Sequence, residues 1–359
     1  MFDLKAHLKT WTETHEPSGH EAPIREVLRF EWADLVDTME MDKLGSLIGV
    51  KRATQPVDPP RKIMLAAHMD EIGLMVRQVV DGFIFVHRIS GVDNRILPAQ
   101  PVLVHGRRAL PGLVSTVPPH LLGGVQNRYL GFDELVIDVG LPAAEVEELV
   151  RIGDLITPDA PMIELQGSRV AGKAMDDRAC VAAVTACLYE LQSLHHRWDV
   201  YAAATVQEET GLLGATTAAY HIKPDIAIAL DVGFAAQPGV DADVAREMNG
   251  GPALGIGPNF HPGLVEKLRE TAKREEIKMQ EEIIPGASGT DAWAIQVALQ
   301  GIPTALFSIP LRNMHSPVET VDLRDIQRAG RLLAHFIADL DADFLTAIDW
   351  PDLKSEASS

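Results

Sequence analysis

At 359 residues the chain has room for about two domains, and its 46% hydrophobic and 23% charged residues are a globular balance that excludes a disordered chain. The formal net charge of −19 would repel polyphosphates and anionic lipid, which excludes nucleic acid and membrane surfaces as partners and suits a cationic ligand. No stretch reaches the roughly 20 apolar residues of a membrane span, and no apolar signal core follows a basic N-terminus, so a soluble cytoplasmic protein is expected.

In chain order, a first helix is expected over residues 2–14, then a turn in EPSGHE, then a second helix over 22–36 in which Ile24, Val27, Leu28 and Trp32 recur at helical spacing. From residue 46 short strands take over. SLIGVKR and KIMLAAH come first, followed by a stretch to about residue 165 that holds FIFVHRI, PVLVHG, LPGLVST, LVIDVG and DLITP between turn residues, with no long helix. Short strands at such spacing mark a small barrel or sandwich. Strand and helix then alternate: a helix over 177–194, the strand DVYAAATV, a helix after GLLGA, the strand IAIAL, a helix over 263–274, and a further strand–helix run from 301. This alternation indicates a mostly parallel sheet covered on both faces. The expected fold class is therefore α/β, a mostly parallel sheet sandwiched by helices with an inserted small all-β domain. Residues 1–75 and 166–359 would form one discontinuous domain around an insertion at 76–165. Cys180 and Cys187 would share a helix face two turns apart, too far for a disulfide, and read as small buried residues. The tail KSEASS is polar and expected to fray.

Several apolar runs end in acidic or imidazole side chains. These are His68 and Asp70 in AAHMDEIG, Asp176 in GKAMDDR, Glu208 and Glu209 in VQEETG, Asp231 in IALDVG, and His315 in NMHSPVE. Strand ends of α/β proteins converge on one crevice, so residues far apart in sequence can meet there. Two imidazoles with several carboxylates suit a divalent metal. His68 and Asp70 project to the same side of an extended chain, where a carboxylate can accept the second ring N–H of a metal-bound imidazole. Asp176 or Asp177 could instead merely cap a helix. A lone His315 would be an ordinary loop residue, but the recurrence of such residues at strand ends favours one metal cluster. The segment GSRVAGKA falls short of a phosphate-binding loop because Ala174 stands where a hydroxyl would hold Mg²⁺.

HMDEIG, the DDR at a helix start, QEETGLLGA, ALDVG, SGTDA and IPLRNMHSPVE, in that order, resemble the co-catalytic metal aminopeptidases of the tetrahedral aminopeptidase group, which includes glutamyl, leucyl and deblocking aminopeptidases. The resemblance extends over nearly the whole chain, from PSGHE near the N-terminus through the β-rich stretch. It implies a zinc-peptidase-type fold and two divalent ions per subunit, Zn²⁺ or Co²⁺. His68, Asp176, Glu209, Asp231 and His315 would hold them with Asp176 bridging, Glu208 would be the general base, and Asp70 would orient His68. It also implies peptide substrates with a free N-terminus, dimerisation through the insertion, and assembly of dimers into closed shells of about twelve subunits. Ser288, Gly289, Thr290, Asp291 and Arg312 lie in segments that would shape the pocket for the first substrate side chain, although turn chemistry and sheet support account for them equally well.

Some members of the group carry an endoglucanase label. The alternatives are accordingly another amidohydrolase on the same scaffold, such as a deacylase or carboxypeptidase, a glycoside hydrolase, or a non-enzymatic shell that binds peptides. A glycosidase would need two carboxylates free of metal and an aromatic sugar platform, and aromatic residues are only 5% of the chain.

Overall fold

The computed structural model describes residues 3–117 and 130–349. Phe2 and the polar tail from Lys354 lie outside them. Helix α1 (Leu4–Thr12) starts where the Asp3 carboxylate accepts from the Ala6 amide at 3.1 Å, and it buries Leu4, Leu8 and Trp11 along one stripe. Helix α2 (Ala22–Trp32) buries Ile24, Leu28 and Trp32 in the same way. Both helices stop short of the limits expected from apolar periodicity. Beyond Trp32 the chain turns so that the Asp37 amide can donate to the Val50 carbonyl at 2.8 Å, and Leu35 is buried by that turn rather than by a further helical one.

The large sheet begins with β1 (Thr38–Met41), β2 (Leu47–Lys51) and β3 (Lys62–His68). The chain then leaves it for six strands: β4 (Gly73–Val80), β5 (Phe83–Ile89), β6 (Pro101–His105), β7 (Ala109–Thr116), β8 (Leu135–Asp138) and, after the short helix α3 (Ala143–Leu149), β9 (Leu155–Pro158). These close into a barrel in the order β4-β5-β8-β7-β6-β9. Along β7 exposed and buried residues alternate, so one side chain in two points inward. Val76, Ile84, Val86, Val104, Ile137 and Ile156 belong to a core separate from that of the large sheet.

Beyond the barrel, β10 (Ile163–Glu164) pairs with β11 (Arg169–Gly172), so the last strand of the β-rich stretch lies outside the barrel. The chain continues through α4 (Met175–Glu190), β12 (Asp199–Thr205), α5 (Leu213–Ile222), β13 (Ile226–Phe234), β14 (Ala253–Ile256), α6 (Pro262–Arg274), β15 (Gln280–Ile283), α7 (Asp291–Ile295), β16 (Thr304–Leu311), β17 (Glu319–Asp322), α8 (Leu323–Asp339) and α9 (Phe344–Ile348). The large sheet has eight strands in the order β1-β2-β12-β3-β13-β16-β14-β15. Its middle strands β12, β3, β13 and β16 are mutually parallel, and antiparallel pairs flank them. The middle strands are buried almost throughout, as strands covered on both faces must be, which is why KIMLAAH and IAIAL read as continuous apolar runs. No helix among the described residues is long and apolar enough to cross a membrane.

Candidate metal centre

The four parallel strands deliver a set of polar side chains to one end of the sheet. His68 closes β3, Glu208 and Glu209 follow β12, Asp231 lies in β13, and His315 follows β16. Asp176 joins them from the start of α4, where its backbone (φ −78°, ψ 101°) is not yet helical and the Asp176–Asp177 peptide is cis.

Asp176 stands between the two imidazoles. Its Oδ1 lies 3.1 Å from His68 Nε2 and its Oδ2 lies 3.3 Å from His315 Nε2. Donor atoms fall into two groups, His68 with Asp176 and Asp231, and Asp176 with Glu209 and His315; each group keeps its atoms within 4.8 Å of one another. Glu208 stands alongside, its Oε2 3.9 Å from His68 Nε2. Asp70 is fully buried behind His68, whose Nδ1 lies 3.2 Å from the Asp70 carbonyl and 3.4 Å from Oδ1. The Asp70 carboxylate has a second task that sequence spacing does not reveal. It accepts from the backbone amides of Glu208 at 3.1 Å and Glu209 at 3.3 Å, and from the Ser18 hydroxyl at 2.5 Å, so it fixes the loop that carries both glutamates.

Further residues support the cluster. Buried Glu319 accepts from the Asp176 amide at 3.0 Å with Oε2 and from the His315 amide at 2.7 Å with Oε1, which holds residues from both groups. Asp177 accepts from the His68 amide at 3.2 Å. The sequence gives no sign of the role of Glu319, and Asp177 reads from it only as a possible helix cap. Lys173 of the GSRVAGKA loop is buried with its ammonium 2.7 Å and 2.9 Å from the two Glu71 oxygens, so the residue that would meet a phosphate is already paired.

A family model described as M42 glutamyl aminopeptidase matches residues 45–332. The chain belongs to that family. It is therefore a metal-dependent aminopeptidase, a hydrolase of peptide bonds. The M42 chain is 36% identical over 340 residues to the lysyl aminopeptidase of Pyrococcus furiosus, covering 93% of this chain and 96% of that one. The solved aminopeptidase of Desulfurococcus kamchatkensis superimposes with a TM-score of 0.89 at 36% identity, covering 97% of this chain and 98% of that one. The TET1 peptidase of Pyrococcus horikoshii, described as assembling into a tetrahedron or a large octahedral shell, gives a TM-score of 0.83 at 30% identity, covering 94% and 100%.

The residues of this M42 aminopeptidase fit a divalent cation on their own chemistry. Glu209 Oε1 is buried without a hydrogen-bond partner, and among the described residues no Lys or Arg lines the cleft that holds Asp176, Glu208, Glu209, Asp231 and His315. Several buried carboxylates with no fixed cation are costly, and a mixed imidazole–carboxylate set suits a borderline metal ion. The strain is visible in the proton affinities. Burial, reinforced by the charges of Asp231, Asp291 and Glu209, pushes Glu208 up to about 10; burial and the charge of Asp176 push Glu209 up to about 7. For His315 burial acts downward, but its contact with Asp176 and the charge of Glu209 outweigh that and raise it to about 9. A cluster that holds extra protons in this way releases them when a cation takes their place.

Beside the cluster lies a cleft of about 440 Å³. Ser288, Gly289 and Thr290 line it, together with Phe234, Glu282 and Ile284. Asp291 and Arg312 do not. Asp291 is buried behind the cleft, where its Oδ2 accepts from the Thr205 hydroxyl at 2.5 Å. Arg312 turns its guanidinium to the Ala236 carbonyl at 2.8 Å, while its backbone pairs with Thr320 at 3.0 Å. Sheet pairing decides where Arg312 points.

Proposed function

We propose that the chain is a dinuclear aminopeptidase that releases N-terminal residues from peptides. His68, Asp176 and Asp231 would hold one divalent ion, Asp176, Glu209 and His315 the other, and Zn²⁺ or Co²⁺ suits both positions. The observation that carries this reading is Asp176, whose two oxygens face two different imidazoles. When bound, the ions supply Lewis-acid chemistry, lowering the pKa of water towards neutrality and polarising a carbonyl. Glu208 takes the proton of the attacking water and passes it to the leaving nitrogen. Asp70 keeps Glu208 in place through its backbone amide and orients the His68 ring. The surrounding carboxylates favour a free α-ammonium, which directs cleavage to the chain end.

Metal removal tests the reading. Exhaustive chelation is expected to abolish hydrolysis of aminoacyl anilides, and two equivalents of Zn²⁺ or Co²⁺ to restore it; full turnover by a verified metal-free preparation would end it.

Ser288, Gly289 and Thr290 form part of the wall for the first side chain in this reading, and Glu282 sets its charge. The Glu282 carboxylate lies beside Gly233, two positions along the strand from Asp231, with Oε2 buried and unpaired. That places it about 7 Å along the sheet from the proposed ligand, within reach of a lysine stem. Lysyl and arginyl anilides are expected to outpace glutamyl anilides, and Glu282→Gln to reduce that preference roughly tenfold or more. Equal kcat/KM ratios in both proteins would remove Glu282 from the pocket.

The barrel and its flanks, about residues 76–165, serve in this reading as a dimerisation domain inserted into the catalytic one. Phe83, Leu113, Val117 and Ile152 are exposed there, large apolar side chains that an interface would cover. The tetrahedral assembly of the Pyrococcus horikoshii relative supports a dodecamer built from dimers, and cytoplasmic residence fits the two unpaired, buried cysteines. Sedimentation velocity is expected to give a single large species; a stable monomer at micromolar concentration would contradict the assembly.

A further inference from the structure

The two groups of donor atoms differ in what stands behind them. His68, Asp176 and Asp231 rise from β3, the start of α4 and β13, all parts of the large sheet and its helices. Glu209 and His315 each touch the barrel. Its β5 strand ends at Ile89, and the next residue, Ser90, donates its hydroxyl to Glu209 Oε2 at 2.7 Å. The residue after that, Gly91, packs closely against the His315 ring. An added Cβ there would overlap the imidazole at Nδ1 and come within 2.7 Å of Cε1. Ser90 holds its position with φ at +63°, a conformation that few side chains adopt, and Val92 anchors the far side in the barrel core.

We infer that the Ser90–Gly91 connection of the barrel positions the Glu209–His315 metal site, so that the affinity of one of the two metal positions depends on the barrel and that of the other does not. The inference rests on the assignment of Glu209 and His315 as ligands. Ser90 fixes one carboxylate oxygen of Glu209 and leaves Oε1, the buried atom without a partner, to face His315 Nε2 at 3.5 Å. Gly91 sets how closely the ring can approach that oxygen. Both are positioning residues: neither needs to touch substrate, and they act by narrowing the range of geometries available to the ligands.

The test is metal titration of the full-length apo protein, with Co²⁺ followed by its visible absorption and Zn²⁺ by calorimetry. The wild type is expected to take up two equivalents in two distinguishable steps. Ser90→Gly removes the hydroxymethyl group that reaches Glu209 and relieves the positive φ, so the fold should be no less stable, yet one step should weaken by roughly 10- to 100-fold while the other is unchanged. Gly91→Ala should weaken the same step and should have no further effect in a His315→Ala background. If both variants bound two equivalents with wild-type affinities, or if both steps weakened equally, the barrel would have no selective hold on the site and the inference would fall. A wild-type chain that took up fewer than two equivalents would bring down the ligand assignment, and this inference with it.

Discussion

Glu208→Gln is expected to keep both metal ions and lose at least about 10²-fold in kcat, which corresponds to about 2.7 kcal/mol of transition-state stabilisation. The carboxamide has the same shape, and the backbone amide of residue 208 still donates to Asp70, so the loop should not move. What is lost is the ability to take a proton. The metal-free protein holds that proton on Glu208 with a pKa pushed up to about 10 by burial and by neighbouring negative charge. In the proposed mechanism, positive charge delivered beside Asp176 and Asp231 would oppose the second cause, so metal loading would also make Glu208 a competent base. Glu209→Gln should separate from it clearly: it removes one negative charge from the His315 group and should cost metal affinity before it costs rate at saturating metal. Metal content by mass spectrometry alongside steady-state kinetics checks both. If Glu208→Gln retained wild-type kcat with two ions bound, the base would have to be sought elsewhere.

The contrast between these neighbours also marks how far the sequence could be read. Apolar strands that end in acids are conspicuous, and the structure gathers His68, Asp176, Glu208, Glu209, Asp231 and His315 at one sheet end because the parallel middle strands all point the same way. The residues that hold them in place were not legible. Ser90 meets Glu209 only because the barrel folds back over the sheet, and Glu319 reaches the amides of Asp176 and His315 only because β17 pairs with β11 next to the start of α4. Such contacts depend on tertiary placement and leave no local pattern. Arg312 makes the converse point. Its segment fits pocket shaping and sheet support equally well in the sequence, and pairing with Thr320, with the guanidinium on the Ala236 carbonyl, matches sheet support. Helix ends fared similarly, since the apolar period continues through Leu35 although the chain has already turned towards β1.

Lys173→Met is expected to be the most destabilising single change near the site, at about 3–5 kcal/mol. The Lys173 ammonium contacts both oxygens of Glu71 at 2.7 Å and 2.9 Å, and also binds the Thr14 carbonyl. Arg178 lies next to it, 2.9 Å from Glu16 and 3.7 Å from Glu71, and all four charged side chains are no more than 2% exposed. Two cations and two anions thus balance in a dry interior, tying the N-terminal segment and the residue after Asp70 to the first part of α4. Methionine fills much of the lysine volume but leaves Glu71 to share Arg178 with Glu16, an uncompensated buried charge. At about 2–4 °C per kcal/mol for a chain of this order of size, the melting temperature should fall by roughly 10 °C at fixed protein and metal concentration. Adding Glu71→Gln restores the charge balance while keeping an acceptor for the Glu16 amide, which donates to Glu71 Oε1 at 3.0 Å. The double variant should therefore recover part of the loss. The charge account requires that order, with the single variant less stable than the double; if Lys173→Met melted with the wild type, or if Glu71→Gln deepened its loss, packing rather than charge balance would govern this corner of the fold.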